Sequence, residues 1–351
     1  MMKKFLILLF FILFSCAEVL AQNLYPINDQ NGGGYINKNG EIVIAQNFGF
    51  AQRFSGNYAI IEGKNSKYGV IDKKGNLVIP FEYEDLSNLS EDFVIYKENG
   101  KYGFIDIKNH KKSEPVFDKT SKFKEAACAV QKNGVWGFIN KKGEMVIEPK
   151  YRSVSDFSEG LAAVSFSEHT TAGYINKKGQ MVIEFDDNKL EPRGFSEGLA
   201  PVIKGDEKSC SYINKRGKVV IDNRKLYPMN VYCGSFYEGL TVFYIDQNPN
   251  KIVTGYIDKR GKAQFSAYFS LPKDVSEGEF STFDDFSSHM AQFSFDYKTG
   301  YLNRKFQMVT PLIYEFARNF EHDLAYVKFE DKEGYINKKG QWVWTKEREG
   351  M

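Results

Sequence analysis

From about residue 24 onward, short apolar runs alternate with polar turns, and the same order of runs recurs along the chain. One run is of the Leu-Ala-x-Val type, as in Leu161-Ala162-Ala163-Val164 and Leu199-Ala200-Pro201-Val202. A second reads glycine, aromatic, Ile or Leu, then Asn or Asp, and a third is of the Met-Val-Ile type, as in Met145–Ile147 and Met181–Ile183. Runs of this length, rich in β-branched and aromatic residues and bounded by glycine and Asn or Asp, predict strands. Each unit therefore reads as a three-stranded antiparallel meander. Neighbouring residues of a strand point to opposite faces. In the second run an aromatic or valine (Tyr35, Val70, Phe104, Phe138, Tyr174, Tyr212, Tyr256, Tyr301, Tyr335) is followed by Ile or Leu in every copy, so both faces are apolar. The first and third runs also lack polar alternation. A sheet wetted on one face would alternate, so the units are expected to stack face to face. Small residues at Ala59, Ala129, Ala163 and Ala325 permit close approach.

The middle run and its turn occur nine times, starting at Gly34, Gly69, Gly103, Gly137, Gly173, Ser211, Gly255, Gly300 and Gly334. Successive spacings are 35, 34, 34, 36, 38, 44, 45 and 34 residues, which is the signature of a repeat architecture. The turn, Asn or Asp, two free positions, then glycine, fits a type I turn closed by a left-handed residue. Asn109 and Phe306 replace that glycine in two copies, where longer or distorted turns are expected. Face-to-face stacking leaves an open, solenoid-like array or a closed β-propeller. Propellers usually hold 4–8 blades of four strands. Nine three-stranded units with uneven spacing fit the open stack better, and the propeller is the alternative.

The copy Val135-Trp136-Gly137-Phe138-Ile139-Asn140-Lys141-Lys142-Gly143, with Met145-Val146-Ile147-Glu148-Pro149-Lys150-Tyr151 after it, resembles the bacterial WG (or KWG) repeat, as does Phe157-Ser158-Glu159-Gly160-Leu161-Ala162. The resemblance covers about residues 32 to 345. The tryptophan position is otherwise filled by Gly33, Tyr68, Tyr102, Ala172, Cys210, Thr254, Thr299 and Glu333. The resemblance implies a β-rich bacterial repeat protein and no particular enzymatic activity.

Residues 1–21 read as an export signal. Lys3 and Lys4 precede an apolar run from Phe5 to Phe14, too short to span a bilayer, and Val19 and Ala21 mark a cleavage site. Leu13-Phe14-Ser15-Cys16 also resembles a lipoprotein box, with lipidation at Cys16 the rival to cleavage after Ala21. The repeat array then spans 22–345 and a polar tail 346–351. No second long apolar run predicts a transmembrane segment in the mature chain. A periplasmic, extracellular or outer-membrane-associated location follows.

Composition changes this picture little. Lys and Arg total 47 and Asp and Glu 45, a net charge of +2, which argues against nucleic acid as the partner. Cofactor and metal signatures are missing: there is no P-loop, G-x-G-x-x-G, H-E-x-x-H or G-x-S-x-G motif. His110, His169, His289 and His322 are isolated, and the pairs Asp186-Asp187 and Asp284-Asp285 read as solvated loop charge. Cys128 replaces a core alanine. The odd count of Cys128, Cys210 and Cys233 after the signal allows at most one bridge or none; Cys210–Cys233 is one option, and whether they pair is open. The longer spacings put inserts at 222–235 and 262–285; these read first as tolerated surface insertions, and second as loops that could meet a ligand.

One chemical feature stands out. Sixteen of the 18 central turn positions are Lys or Arg. In register they would make a basic ridge, with Lys73, Lys74, Lys141, Lys142, Lys177, Lys178, Lys215, Arg216, Lys259, Arg260, Lys338 and Lys339 as candidate anion ligands. The Ser-Glu-Gly corners, with Glu159, Glu197, Glu238 and Glu277 and with Glu125 and Glu321 nearby, would form an acidic ridge elsewhere. The expectation is a non-enzymatic, exported scaffold binding a protein or envelope polymer. A glycan- or polyanion-binding module using the ridge is the alternative.

Overall fold

A computed structural model of the chain describes residues 22–166, 171–185, 190–204, 209–222, 230–248, 251–270 and 282–347. Residues 1–21, where an export signal is expected, together with His169, Asp186, Asp187, Glu277 and the inner parts of both inserts, lie outside the described residues. The chain forms two compact units, Met1–Ala126 and Ala127–Met351.

The described residues form antiparallel β-sheets whose strands pair in chain order. In the first unit β1 (Tyr25–Asp29), β2 (Gly32–Ile36) and β3 (Ile42–Phe48) make one sheet. The next is β4 (Phe50–Ser55), β5 (Tyr58–Glu62), β6 (Tyr68–Asp72) and β7 (Leu77–Tyr83). The expected meander is β5-β6-β7, and β4 is an addition to it.

That fourth strand corrects the three-stranded expectation. The same short first strand recurs at Leu86–Ser90, Leu190–Pro192, Asn230–Cys233, Thr282–Phe283 and Phe316–Ala317. It is hard to read in sequence because two to five residues carry too little periodicity. The long strand Met145–Val154 solves the same need differently. It closes one meander at Ile147 and pairs through Val154 with Val164 of the following one.

The stacking expectation holds within each unit. Tyr35, Tyr174, Tyr212, Tyr256 and Tyr301 are fully buried, as are the Ile or Leu residues that follow them. Cores form between consecutive sheets: Leu161, Ala163, Tyr174 and Ile183 of one pack with Phe195, Ala200, Val202 and Ile213 of the next. The Met-Val-Ile strand departs from the expectation. Only its last residue is core, as with Ile147 and Ile183, whereas Val146, Val182, Val219 and Val220 are exposed. The strands of Val182, Val219 and Val220 end the paired order of their sheets, so neighbours cover less of them; Met145–Val154 pairs on both sides, and its Val146 is exposed all the same.

The inter-strand turns form as expected. Asn140 Oδ1 accepts hydrogen bonds from the N–H groups of Lys142 (2.8 Å) and Glu144 (3.1 Å), and Gly143 has φ +80°. Asn176, Asn214, Asp258 and Asn337 repeat both bonds. The turn at Asp106 is longer, with His110 taking the left-handed conformation. Phe306 overturns its expectation. It adopts φ +59°, its N–H donates to the Asn303 carbonyl at 2.9 Å, and the turn is undistorted.

The reason lies in the preceding sheet. A Cβ on Gly179 would stand 3.3 Å from Ile147, and one on Gly217 would stand 3.1 Å from Ile183. The turn glycine thus rests on the third-run isoleucine of the preceding repeat. Before Phe306 that isoleucine is replaced by Phe265, and the two rings stack at 5.2 Å with 15° between planes. The glycine–isoleucine contact has become a phenylalanine–phenylalanine contact. No helix among the described residues is long and apolar enough to cross a membrane.

Candidate functional site

The recurring polar residues converge on one rim of each unit, where the Ser-Glu-Gly corners and the basic turns meet. The corner is a two-residue hairpin: Ser158 and Leu161 exchange both backbone bonds, with Glu159 at φ +55° and Gly160 at +86°. Glutamate in the left-handed region costs about 1–2 kcal/mol. Glu197 and Glu238 do the same, so the glutamate must offset that cost.

It does so by tethering repeats. The Glu159 carboxylate accepts from the Gly198 N–H at 3.0 and 3.1 Å, the Glu197 carboxylate from Gly239 at 3.2 and 3.0 Å, and Glu238 from His289 at 2.9 Å. In the first unit Glu91 accepts from Ala126 at 3.0 Å. Each carboxylate caps the corner of the next repeat. Lys215 Nζ then meets the Glu159 carboxylate (3.0 Å) and carbonyl (3.0 Å), and Lys259 meets those of Glu197 (2.8 and 3.0 Å). Burial raises the Glu159 carboxyl, but the Gly198 N–H and Lys215 outweigh it and hold it below the ordinary range.

Basic and acidic residues therefore share a rim, and the expectation of an acidic ridge elsewhere is corrected. The two cations of a turn have different fates. Lys215 and Lys259, at the first position, are bound back to glutamates, and Lys108 pairs with Asp92 at 2.7 Å. Lys73 and Lys338, also at the first position, are half-buried, while Lys141 and Lys177 are exposed. The second-position residues Lys74, Lys142, Lys178, Arg216, Arg260 and Lys339 are all exposed.

A second tether escaped the sequence reading. The Tyr174 hydroxyl donates to the Arg193 carbonyl at 2.7 Å, and its ring lies 4.9 Å from Phe195. Tyr35, Tyr212, Tyr256 and Tyr301 likewise donate to the carbonyls of Gln52, Gly234, Asp284 and Arg318. The signal was present as a tyrosine after the motif glycine and a phenylalanine before the corner, but only the fold shows that they belong to successive repeats. Ser196 and Ser287 add bonds to the carbonyls of Phe236 and Phe320.

The remaining candidates take structural places. Cys210 and Cys233 are buried and form a disulfide between consecutive sheets, and Cys128 is a buried thiol outside that bridge. His110, His289 and His322 occupy exposed left-handed turn positions, and the His289 ring meets Glu238 at 2.8 Å. Asp284 is exposed but Asp285 is half-buried, so the pair is not simply solvated. Burial and the neighbouring Asp284 charge push the Asp285 carboxyl up to about 6.

Known proteins bear on this chain in two ways. No curated protein matches its sequence. Solved structures similar in fold are β-propellers. One, titled as the crystal structure of the eukaryotic initiation factor, has a TM-score of 0.60 at 10% identity, covering 93% of this chain and 96% of that one. Kluyveromyces lactis Hsv2p (TM-score 0.41, 8% identity, 71% of this chain and 90% of that) and a streptogramin B lyase (0.40, 15%, 72% and 92%) are more distant. The family model described as the WG containing repeat matches residues 34–68, 68–102, 102–136, 136–167, 173–207 and 300–332. The copies at Ser211, Gly255 and Gly334 fall outside those matches, yet they form the same strands and turns. With more than half of its length matched, the chain belongs to the WG containing repeat family.

Proposed function

We propose that this protein is an exported, non-enzymatic repeat scaffold that binds a macromolecule of the cell envelope or its surroundings, with its sheets as the blades of a β-propeller. The carrying observation is how the motif's polar groups are used. Its Asn, Asp, Glu, Ser and Tyr residues bond turns and neighbouring repeats, which makes a rigid frame with variable surface residues. Export rests on the leader at 1–21 and is supported by the Cys210–Cys233 disulfide, a bond characteristic of oxidising compartments. Cleavage after Ala21 or lipidation at Cys16 are its two routes. The propeller reading is supported by the initiation-factor structure, similar over nearly the whole of both chains, and by the four-stranded sheets.

Small-angle scattering of residues 22–351 tests the frame: a radius of gyration near ~20 Å is expected for a compact closed form, and a markedly larger value would restore the open array. Immobilised 22–351, offered fractionated envelope material and washed at low and then high salt, tests the function. A stoichiometric protein or polymer ligand is expected. Turnover of an envelope substrate, abolished by one loop carboxylate or histidine, would overturn the non-enzymatic reading. A polyanion as the ligand is favoured by the exposed second-position cations.

A further inference from the structure

Most repeats fill the position after the turn glycine with a residue that supports the turn. Glu41, Glu144, Gln180 and Gln341 accept a hydrogen bond from the side-chain amide of the turn asparagine, at 2.6, 2.8, 2.9 and 3.1 Å. Two adjacent repeats in the second unit give this bond up. After Gly217 stands Lys218 and after Gly261 stands Lys262, both exposed. Their turns survive on backbone bonds to Asn214 and Asp258, and the second Asp258 oxygen accepts from Gln264 at 3.0 Å.

Replacing a turn-supporting acceptor with a second exposed cation is not explained by the turn. Beside Lys218 and Lys262 lie Arg216 and Arg260, and none of the four has a carboxylate partner among the described residues. Lys215 and Lys259, on the same turns, are bound to Glu159 and Glu197. Glu159 and Glu197 are thereby committed, and among the described residues four cations without a carboxylate partner remain on these two turns. Lys178 and Lys305 continue the exposed series on either side.

We infer that Arg216, Lys218, Arg260 and Lys262 form the centre of a binding surface for an acidic polysaccharide laid across successive turns. This rests on the scaffold reading and names its ligand class. The Gly217 turn rests on the third strand of the preceding repeat, since a Cβ there would meet the Ile183 side chain at 3.1 Å. Sheets packed this way lie ~10 Å apart, so charge pairs recur at a spacing suited to a polymer with one anion every sugar or two. Phosphates of nucleic acid are much denser, about one per 3.4 Å of strand. Val219 and Val220, exposed next to the cations, offer apolar surface for the C–H faces of sugar rings. Affinity would be multivalent, from several weak contacts on one chain.

The test uses residues 22–351 with four immobilised probes: polyuronate, dextran sulfate, neutral dextran and poly(dT). The variant R216Q/K218Q/R260Q/K262Q is compared with K64Q/K111Q/K119Q/K122Q, which removes equal charge from exposed lysines of the first unit. Expected are binding to polyuronate or dextran sulfate, with the preferred probe identifying carboxylate or sulfate, and none to neutral dextran. The turn variant should lose roughly tenfold or more and show a shallower salt dependence, and the control should stay within about twofold. Equal losses in both variants would reduce the surface to bulk charge, and stronger binding to poly(dT) would make it a nucleic-acid site; either overturns the inference. If no acidic polymer binds while an envelope protein is captured, the scaffold stands and this surface falls.

Discussion

The Phe265–Phe306 exchange offers a sharp test of how successive repeats are coupled. Phe306 is half-buried, and its ring meets Phe265 at 5.2 Å, Tyr256 at 5.7 Å and Phe286 at 6.1 Å. Truncating a fully buried phenylalanine costs about 3–5 kcal/mol, so half-burial scales this to about 2. Phe306→Gly also relieves a left-handed non-glycine residue, worth about 1 kcal/mol. The single variant should therefore lose about 1 kcal/mol. Phe265→Ile alone should cost about as much, because Phe306 loses its stacked partner. The double variant recreates the pair seen where Gly217 rests on Ile183. It should lose about 1 kcal/mol less than the sum of the singles, in line with measured aromatic pair terms. Repeat proteins can open locally, so the assay is hydrogen-exchange mass spectrometry on peptides spanning 255–267 and 299–310, which reads the local opening free energy. Additivity within about 0.3 kcal/mol would refute the claim that the two positions form one inter-repeat contact.

Tyr174→Phe keeps the buried ring but removes the bond to the Arg193 carbonyl, and should cost about 1–2 kcal/mol by urea denaturation; an effect below about 0.3 would make the tyrosine tether a packing contact alone. Glu159→Gln should lower stability above the ordinary glutamate pKa but not below the depressed folded one, since a lowered carboxyl stabilises only when ionised; a constant deficit across acid pH would contradict the latch. Asp285→Asn should do the opposite, because a raised carboxyl weakens the fold once it ionises. Its gain, on the order of 1–3 kcal/mol, should be full above about pH 6 and fade toward pH 4, and a gain independent of pH would remove the charge explanation. Cys210→Ser with Cys233→Ser should cost about 2–4 kcal/mol, and reductant should weaken the parent protein but not that variant.

The meander, its turns and its buried middle strand were legible because each rests on local chemistry. Glycine after Asn-Lys-Lys reports a left-handed turn, and an aromatic followed by isoleucine reports a strand covered on both sides. Lys215 was marked as an anion ligand, and its actual partner, Glu159, lies 56 residues earlier. Spacing within a repeat carries no information about contacts between repeats, so both ridges were seen but not their meeting. The exposure of Val146 and Val182 was hidden for a related reason: valine reads as core whether or not a neighbouring sheet arrives to cover it. Phe306 reads as a distorted turn in sequence because its compensation, Phe265, sits in the preceding repeat.

The tethers also say where function must be sought. A polar residue held in most repeats by a bond to the next repeat is not free to choose a ligand. Glu159 in a left-handed corner illustrates this, since its carboxylate caps Gly198 and holds Lys215. On the proposed scaffold reading, recognition is expected at positions where a repeat abandons the structural choice without losing its fold. Lys218 and Lys262 meet that condition, because they give up a bond made at Gln180 and Gln341 and add charge on turns whose Lys215 and Lys259 already hold Glu159 and Glu197. Phe306 fails it, because its departure is answered by Phe265 within the core.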